Sequence, residues 1–318
     1  MILCVNPNAA VDKTVMVENF RLNAIHRPSF ELALPGGKGC NVARAARTLG
    51  QQPVVTGWVG GNAGRFIEEG LQAEGILTAF VHTSVESRDC LSILDPVNGT
   101  MTEIYEKGRP VSPEELQSFY ESFQAWLPKV EIVTLSGSLP PGVPVCFYGE
   151  LIGMARRAGV RTILDSSGEP LRCGLEGASP DVLKCNRAEL SGLVGQPLES
   201  LEDVRRVIRE LSGRLGASVV ITLGGTGPVA AERAESAPAS CRTWLAQAPG
   251  IEVVSAVGSG DCFLAGLAAG MLAGQPFEEW LRLAVAAGSA NTLEIRAGRL
   301  RQADVDALLG RVRVAEEK

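Results

Sequence analysis

Two short glycine-rich segments carry residue types that bind anions and move protons. The first is Gly36-Gly37-Lys38-Gly39-Cys40-Asn41, followed by a helix pattern that contains arginines. Its glycines let a ligand approach the backbone N–H groups, and Lys38 adds positive charge beside the N-terminus of that helix. The segment therefore predicts a site for an anionic or polyhydroxyl ligand. The alternative is a tight turn with a solvated lysine.

The second segment is Val257-Gly258-Ser259-Gly260-Asp261, which leads directly into an apolar helix pattern over residues 261–273. A flexible backbone at the positive end of a helix dipole predicts an anion hole for a phosphoryl group in transfer. Asp261, at the start of the helix, is placed to accept a proton. The alternative is that Asp261 only caps the helix, which is a common role for aspartate.

Three further segments each accompany a predicted strand. Lys184, Asn186 and Glu189 are expected to contact phosphates or hydrated Mg²⁺. Residues 222–227 either wrap a nucleotide or turn a hairpin. Residues 136–142 follow a strand at the sheet edge where open α/β sheets bind their ligands.

Several classes of enzyme lack support in this sequence. Its histidines, His26 and His82, stand in no recognisable context for a Ser-His-Asp hydrolase or a metal site. Residues 36–43 have neither the spacing of a Walker A loop nor the third glycine of a dinucleotide fingerprint. A dinucleotide-dependent oxidoreductase is therefore a distant alternative.

Short apolar runs alternate with helix patterns along most of the chain. The predicted strands are 54–58, 132–135, 162–164 and 218–223, and the predicted helices are 65–74, 145–157, 204–215, 261–273, 277–293 and 303–312. Nearly all-apolar strands separated by helices predict a mostly parallel sheet buried between two helical layers.

Two regions interrupt this alternation. Residues 12–34 and 88–107 alternate apolar and polar side chains with no helix between their runs, which predicts half-exposed antiparallel strands. We expect a small sheet apart from the main one, serving as a lid or a dimer surface. The alternative is an edge extension of the main sheet. Residues 233–240 are expected to form an exposed loop.

The composition is that of a globular protein. The chain has 318 residues, 45% of them hydrophobic and 21% charged, with a net charge of −6 and no dense basic stretch. Nucleic acid is therefore not an expected partner. Eight scattered cysteines predict reduced thiols rather than a disulfide framework. The N-terminal strand pattern lacks signal-peptide features, and residues 263–273 are too short to span a bilayer, so we expect a soluble cytoplasmic protein.

Taken in order, these segments resemble the ribokinase-like sugar kinases of the phosphofructokinase-B group over essentially the whole chain. Asn8, Asp12 and Arg88-Asp89-Cys90, followed by Thr102-Glu103-Ile104, are similar to the 1-phosphofructokinase and tagatose-6-phosphate kinase branch. The resemblance implies one three-layer α/β/α domain over residues 1–318. It also implies a small β-sheet lid built from about residues 12–34 and 88–107.

The resemblance further implies ATP-dependent phosphorylation of the free primary hydroxyl of tagatose 6-phosphate or fructose 1-phosphate. It makes Asp261 the base and puts the transferring phosphoryl group on the backbone of Gly258, Ser259 and Gly260. The resemblance also implies that the sugar hydroxyls are bound by Asp12, Gly37, Lys38, Asn41 and Ser138, and that the phosphate already on the sugar is bound by Arg88 and Arg27. It implies that ATP and Mg²⁺ are bound by Lys184, Asn186, Glu189, Thr222, Gly224 and Gly227, with Glu189 reaching the metal through water.

Other functions remain open. The acceptor could be fructose 6-phosphate, an unphosphorylated sugar or a nucleoside, and the same scaffold could serve a non-catalytic sugar- or nucleotide-binding protein. The cations Arg88 and Lys38 favour a phosphorylated acceptor, and Asp261 after a complete glycine turn favours catalysis. The predicted lid sheet suggests a homodimer.

Overall fold

Residues 1–234 and 241–317 are described by the structure, a computed structural model of the chain. The strands are β1 (Ile2–Asn6), β2 (Ala10–Met16), β3 (Phe30–Gly36), β4 (Pro53–Gly60), β5 (Leu77–Thr78), β6 (Val81–Thr83), β7 (Arg88–Asp95), β8 (Thr100–Tyr105), β9 (Ile132–Ser136), β10 (Arg161–Asp165), β11 (Val182–Asn186), β12 (Ser218–Thr222), β13 (Pro228–Arg233), β14 (Cys241–Gln247) and β15 (Arg313–Glu317). The helices are α1 (Lys38–Thr48), α2 (Gly61–Ala73), α3 (Pro113–Trp126), α4 (Phe147–Arg157), α5 (Gly168–Gly177), α6 (Arg187–Val194), α7 (Leu201–Leu215), α8 (Ser259–Leu272), α9 (Phe277–Asn291) and α10 (Gln302–Leu309). Each strand and helix predicted from periodicity is confirmed, with ends that differ by a few residues.

The main sheet has the strand order β15-β14-β13-β12-β11-β10-β9-β1-β4-β5, with β6 also paired to β4. From β12 to β5 the neighbours are parallel, whereas β13, β14 and β15 continue the sheet antiparallel. Helices α1, α2, α8, α9 and α10 bury one face and helices α3 to α7 bury the other. The fold is therefore the expected three-layer, ribokinase-like α/β/α fold with a mostly parallel sheet.

A separate four-stranded sheet has the order β3-β2-β7-β8. Its strands come from the two segments predicted to leave the main sheet, so the edge-extension alternative is wrong. The outer pairs are antiparallel as expected, but β2 and β7 run parallel, so the expectation of antiparallel strands is wrong for the central pair. Ala10 pairs with both Gly36 and Arg88 at one end, and Met16 pairs with Phe30 and Leu94 at the other.

Helix α8 is apolar on all sides because it is buried on all sides, from Asp261 to Met271. It packs against α9 so closely that a Cβ on Gly266 would lie 2.5 Å from the Cα of Ala284. This close approach explains a glycine inside an apolar helix. In the part of the chain that the structure describes, no helix combines the length and the apolar character needed to span a membrane.

The structure contains a disulfide that the sequence did not predict. The structure joins Cys146 and Cys173 in a disulfide with Cα atoms 4.9 Å apart, so the expectation that every thiol is reduced is wrong for this pair. Helices α4 and α5 pack side by side and bring these cysteines together, a contact that their spacing in the sequence does not reveal.

The exposed loop expected at 233–240 is covered only in part. Arg233 ends β13, and residues 235–240 lie outside the described residues.

Candidate active site

The predicted functional segments meet at one edge of the main sheet. Strands β1, β9, β10, β11 and β12 end there in Asn6, Ser136, Asp165, Asn186 and Thr222. Helix α1 begins just beyond β3, and α8 contacts both α1 and the neighbouring strands β9 and β10. A site at the carboxyl ends of parallel strands is the general location for ligands in open α/β sheets.

Asp261 lies in the first turn of α8, but it does not cap that helix. The N-cap is Gly258, whose φ of 82° favours glycine, and no side chain caps this end. The N-cap alternative for Asp261 is therefore wrong. Asp261 is 6% exposed, and its carboxylate accepts a hydrogen bond of 2.9 Å from Asn41 Nδ2. Burial raises the pKa of Asp261 to about 6, although nearby Lys38 opposes the shift.

A buried carboxylate holds two lysines beside Asp261. Asp165 is fully buried and pairs with Lys184 Nζ at 3.1 Å and Lys38 Nζ at 3.5 Å. Burial alone would raise the pKa of Asp165, but these two cations outweigh it and lower that pKa. Burial would lower the pKa of Lys38, but Asp165 and Asp261 raise it above its ordinary value. The Lys38 ammonium group therefore remains charged near the glycine turn.

The glycine turn leaves room for one of these cations. A Cβ on Gly260 would lie 3.2 Å from Lys184 Nζ, which places this ammonium group directly beside the start of α8. The N–H groups of Ser259 and Asp261 donate to the carbonyls of Ala256 and Gly258. An anion at this turn would thus meet a cation and the positive end of the α8 dipole.

Asn6 holds the first glycine-rich segment in place. Its Nδ2 donates to the Gly36 carbonyl at 3.1 Å, and its Oδ1 accepts from Gly39 N at 3.3 Å. Gly37 caps α1 with a φ of 97°, and a Cβ there would lie 2.5 Å from Asn6 Oδ1. The positive φ and the close contact with Asn6 each require glycine at position 37, directly before Lys38.

Asn41 is turned toward protein groups in this structure. It is 6% exposed; its Nδ2 faces Asp261, and its Oδ1 accepts from Arg44 Nη1 at 3.1 Å. A guanidinium has donors only, so the amide oxygen must face Arg44 and the NH₂ group must face Asp261.

The small sheet places Arg88 next to the main sheet. Arg88 donates from Nε to the Asn8 carbonyl at 3.1 Å and from Nη1 to the Glu106 carbonyl at 2.7 Å. Asn8 Nδ2 in turn donates to Ser138 Oγ at 3.1 Å. Arg88, Lys107 and Ser138 line a cavity of about 560 Å³. A cation and a hydroxyl thus share one open cavity beside the sheet edge.

Asp12 lies on β2 close to the first glycine turn. Its Oδ2 accepts from Gly37 N at 3.4 Å, and a Cβ on Gly36 would overlap its carboxylate. Burial raises the pKa of Asp12, whereas this backbone bond and the charges of Arg88 and Arg44 oppose the rise. Asp12 is therefore partly desolvated, at the junction of the two sheets.

Arg27 lies far from Arg88 and the other predicted site residues of the same chain. It is exposed in the segment between β2 and β3, beyond the end at which Met16 pairs with Phe30. Arg88 pairs with Ala10 at the opposite end of β2, about 20 Å away at the rise of a strand.

Asn186 and Glu189 form a reciprocal capping box at the start of α6. Asn186 Oδ1 accepts from Glu189 N at 2.9 Å, and Glu189 Oε2 accepts from Asn186 N at 2.8 Å. This local role is sufficient to explain both residue types. The second carboxylate oxygen of Glu189 stays outside the box.

Residues 222–227 turn a hairpin, because β12 and β13 pair antiparallel from Thr222 and Pro228. Gly227 has a φ of 93°, and a Cβ there would meet the Ala246 carbonyl at 2.0 Å, so the backbone requires glycine at this position. A Cβ on Gly224 would meet no atom within 4 Å, so a ligand could approach the backbone there.

Asp165, the residue that holds both lysines, was missed by sequence reasoning. It directly follows the predicted strand 162–164, at the edge where Ser136 was singled out after the strand before it. Its position at the end of a strand was thus an available signal. Arg44 and its partner Glu74 had no such signal, because the two residues are 30 positions apart and only the fold brings them together.

The model for the pfkB family of carbohydrate kinases matches residues 8–302, and the chain belongs to this family.

Solved structures agree with this assignment. A protein described as a possible 1-phosphofructokinase from Thermotoga maritima is 28% identical, with a TM-score of 0.89 and coverage of 100% of both chains. Phosphofructokinase-2 from Escherichia coli in complex with fructose-6-phosphate is 27% identical, with a TM-score of 0.87 and coverage of 98% of both chains. Arabidopsis thaliana ribokinase complexed with ribose and ATP, 24% identical, shares the fold, with a TM-score of 0.75 and coverage of 97% of this chain and 98% of that chain.

Proposed function

We propose that this chain transfers the terminal phosphoryl group of ATP to the free primary hydroxyl of a phosphorylated ketohexose. The acceptor is tagatose 6-phosphate or fructose 1-phosphate, and the product is the 1,6-bisphosphate. The observation that carries the proposal is the buried Asp261 carboxylate beside a glycine turn and two lysines. A base, an anion hole and cations are the groups that phosphoryl transfer to an alcohol requires.

Asp261 acts as the base in this proposal. Its Oδ2 is taken by Asn41, which leaves Oδ1 for the proton of the attacking hydroxyl. The hydroxyl oxygen forms a bond to the phosphorus while the bond from phosphorus to the ADP oxygen breaks. A pKa of about 6 keeps Asp261 ionised at neutral pH and makes it a stronger base than an exposed carboxylate.

The glycine turn and the two lysines stabilise the negative charge on the transferring phosphoryl group. The N–H groups of Ser259 and Asp261 already have acceptors, so we expect the N–H groups of Gly258 and Gly260 to contribute most within residues 258–260. Lys184 lies against Gly260, and Lys38 shares its carboxylate partner. These groups are held before substrate binds, so little reorganisation is needed during the reaction.

ATP is bound in this proposal by Asn186, Glu189, Thr222, Gly224 and Gly227. Mg²⁺, when bound, neutralises charge on phosphate oxygens. Among the residues that the structure describes, no group of three or more His, Cys, Asp or Glu side chains could hold a metal. Mg²⁺ commonly takes most of its ligands from phosphates and water, so Glu189 would act through water from its oxygen outside the capping box.

The hydroxyl groups of the acceptor sugar are bound in this proposal by Asp12, Gly37, Lys38, Asn41 and Ser138. Arg88 is the proposed cation for the phosphate that the sugar already carries, because its guanidinium borders the open cavity and can bind phosphate in a bidentate way. Arg27 would need to act from outside the cluster, and Arg27→Ala tests its share. The fructose-6-phosphate complex of the Escherichia coli relative favours fructose 6-phosphate as the second candidate acceptor.

We also propose that the small sheet closes over the sugar as a lid and joins two copies of the chain. One face carries exposed apolar side chains, including Phe30, Met101 and Tyr105. Met101→Glu should shift the chain toward the monomer in analytical ultracentrifugation. Thr102→Glu, on the opposite face of β8, is the matched control and should leave the mass unchanged. An unchanged mass in Met101→Glu would contradict the dimer surface.

A coupled ADP-release assay over a panel of sugars and sugar phosphates tests the function itself. Turnover should be highest with a phosphorylated ketohexose, should require ATP and should be lost in excess chelator. The Asp261→Asn variant provides the matched blank. Highest turnover on an unphosphorylated sugar or a nucleoside, or none on any acceptor, would contradict the proposal.

A further inference from the structure

A chain of hydrogen bonds runs from Asp261 through Asn41 and Arg44 on α1 to Glu74. Asn41 links Asp261 to Arg44, as described above. Arg44 also donates from Nε to Glu74 at 2.6 Å and from Nη2 to the Pro35 carbonyl at 2.9 Å. None of the reacting groups touches Arg44 or Glu74, so the proposed chemistry leaves both residues unexplained.

The pair is held firmly. Arg44 is 5% exposed, and the other oxygen of Glu74 accepts from Arg299 Nη2 at 2.9 Å. A fourth Arg44 contact goes to the Ala297 carbonyl at 3.4 Å. A buried guanidinium is costly unless its donors are satisfied, and here each nitrogen has an acceptor. The guanidinium therefore has little freedom to move away from Asn41.

We infer that Arg44, held by Glu74, is a positioning residue for the catalytic base, because it prevents the Asn41 amide from turning its oxygen toward Asp261. This inference rests on the proposed function. A free amide could rotate by half a turn when Asp261 takes up a proton, and its oxygen would then accept that proton in a hydrogen bond. With Arg44 in place, rotation would press the NH₂ group against a guanidinium that has only donors.

The consequence is that protonated Asp261 finds no acceptor in Asn41, so the carboxylate form is favoured. The other charged groups around Asp261 are Lys38 on α1, Lys184 on β11 and Asp165 at the end of β10. The two lysines favour the carboxylate and Asp165 opposes it. A test must leave these charges unchanged so that only the orientation of the amide varies.

Arg44→Lys conserves charge but cannot donate to Asn41, Glu74 and the Pro35 carbonyl in the same geometry. The acidic limb of the kcat profile, expected near pH 6, should move up by about one pH unit, the scale of one lost hydrogen bond. At pH 6, kcat should fall by up to about tenfold, and above pH 8 it should recover to within about threefold. A purely structural role would lower kcat equally at every pH.

Glu74→Asp is the second charge-conserving variant, because a shorter side chain draws Arg44 away from Asn41. Glu74→Asp should move the acidic limb of the kcat profile in the same direction. If Arg44→Lys does not fold, Glu74→Asp alone tests the positioning role of Arg44. Arg47→Lys is the control, since Arg47 lies one turn further along α1 and makes no contact with Asn41 among the described residues. This control should leave the limb in place.

A double-variant comparison tests the route through Asn41. The shift caused by Arg44→Lys should disappear when Asn41→Ala is already present, because the two residues act as one unit. A folded Arg44→Lys or Glu74→Asp with an unmoved limb, or a shift that persists beside Asn41→Ala, would overturn the inference. A parent without kinase activity or without an acidic limb would instead refute the proposed function.

Discussion

Replacing Asp261 with Asn should make the folded protein more stable at neutral pH. The Asp261 carboxyl is buried, and its pKa rises to about 6, whereas an aspartate in an unfolded chain titrates near 4. The folded state therefore binds this proton more tightly than the unfolded state. The associated stability is fully present below about pH 4 and is lost as the pH rises through about 6.

The size of the effect follows from this difference of about two pH units. At 1.36 kcal/mol for each unit, ionised Asp261 lowers the free energy of unfolding by about 3 kcal/mol at pH 7.5. Asn has nearly the same shape, carries no charge and can still accept from Asn41. Asp261→Asn should thus gain up to about 3 kcal/mol at pH 7.5 and nothing near pH 4.

Urea unfolding of the parent and of Asp261→Asn at both pH values measures this gain. Asp306→Asn, which changes an exposed aspartate on α10, is the control and should leave the free energy of unfolding nearly unchanged at either pH. The reasoning is refuted if Asp261→Asn is less stable than the parent at pH 7.5, or if the difference between them does not depend on pH.

Three further predictions concern the proposed reaction. In the parent, kcat should fall about tenfold for each pH unit below 6, as Asp261 is protonated; a flat profile down to pH 5 would contradict this. Arg88→Ala should raise the sugar-phosphate KM by roughly 10- to 150-fold, with a smaller change for ATP. Exposed Arg109→Ala is the control, and equal KM values in the two variants would show that another residue holds the phosphate. Asp165→Asn should lose about 3–5 kcal/mol in urea unfolding at pH 7, since Lys38 and Lys184 both lose the buried carboxylate with which they pair. Because the folded pKa of Asp165 is lowered, this loss should shrink as the pH falls through that pKa, and a loss that is constant with pH would argue against the ion pairs.

The alternating segments of the small sheet and the apolar strands of the main sheet were predictable because their periodicity reflects which faces are buried. The parallel part of the main sheet followed from the same signal. Strands β14 and β15 were missed, because they pair with each other from distant parts of the sequence. Non-local pairing of this kind leaves little trace in a local pattern.

At the site, single segments were easier to predict than the contacts between them. The glycine turns and Asp261 were visible because they precede helix patterns. The pairing of Asp165 with two lysines joins three separate strand ends and helix starts, and only the packed sheet brings them together. The same holds for Arg44 and Glu74, and for the disulfide between Cys146 and Cys173.

The turnover of Asp261→Asn at pH 8 tests the central claim most directly. At this pH the parent carboxylate is ionised, and a positioned base is worth about 10²–10⁴ in rate. We expect kcat to fall by that factor, while the KM values for ATP and the sugar phosphate and the cooperative unfolding transition are retained. A folded Asp261→Asn whose kcat stays within about threefold of the parent, far less than a base contributes, would contradict the assignment of Asp261 as the catalytic base.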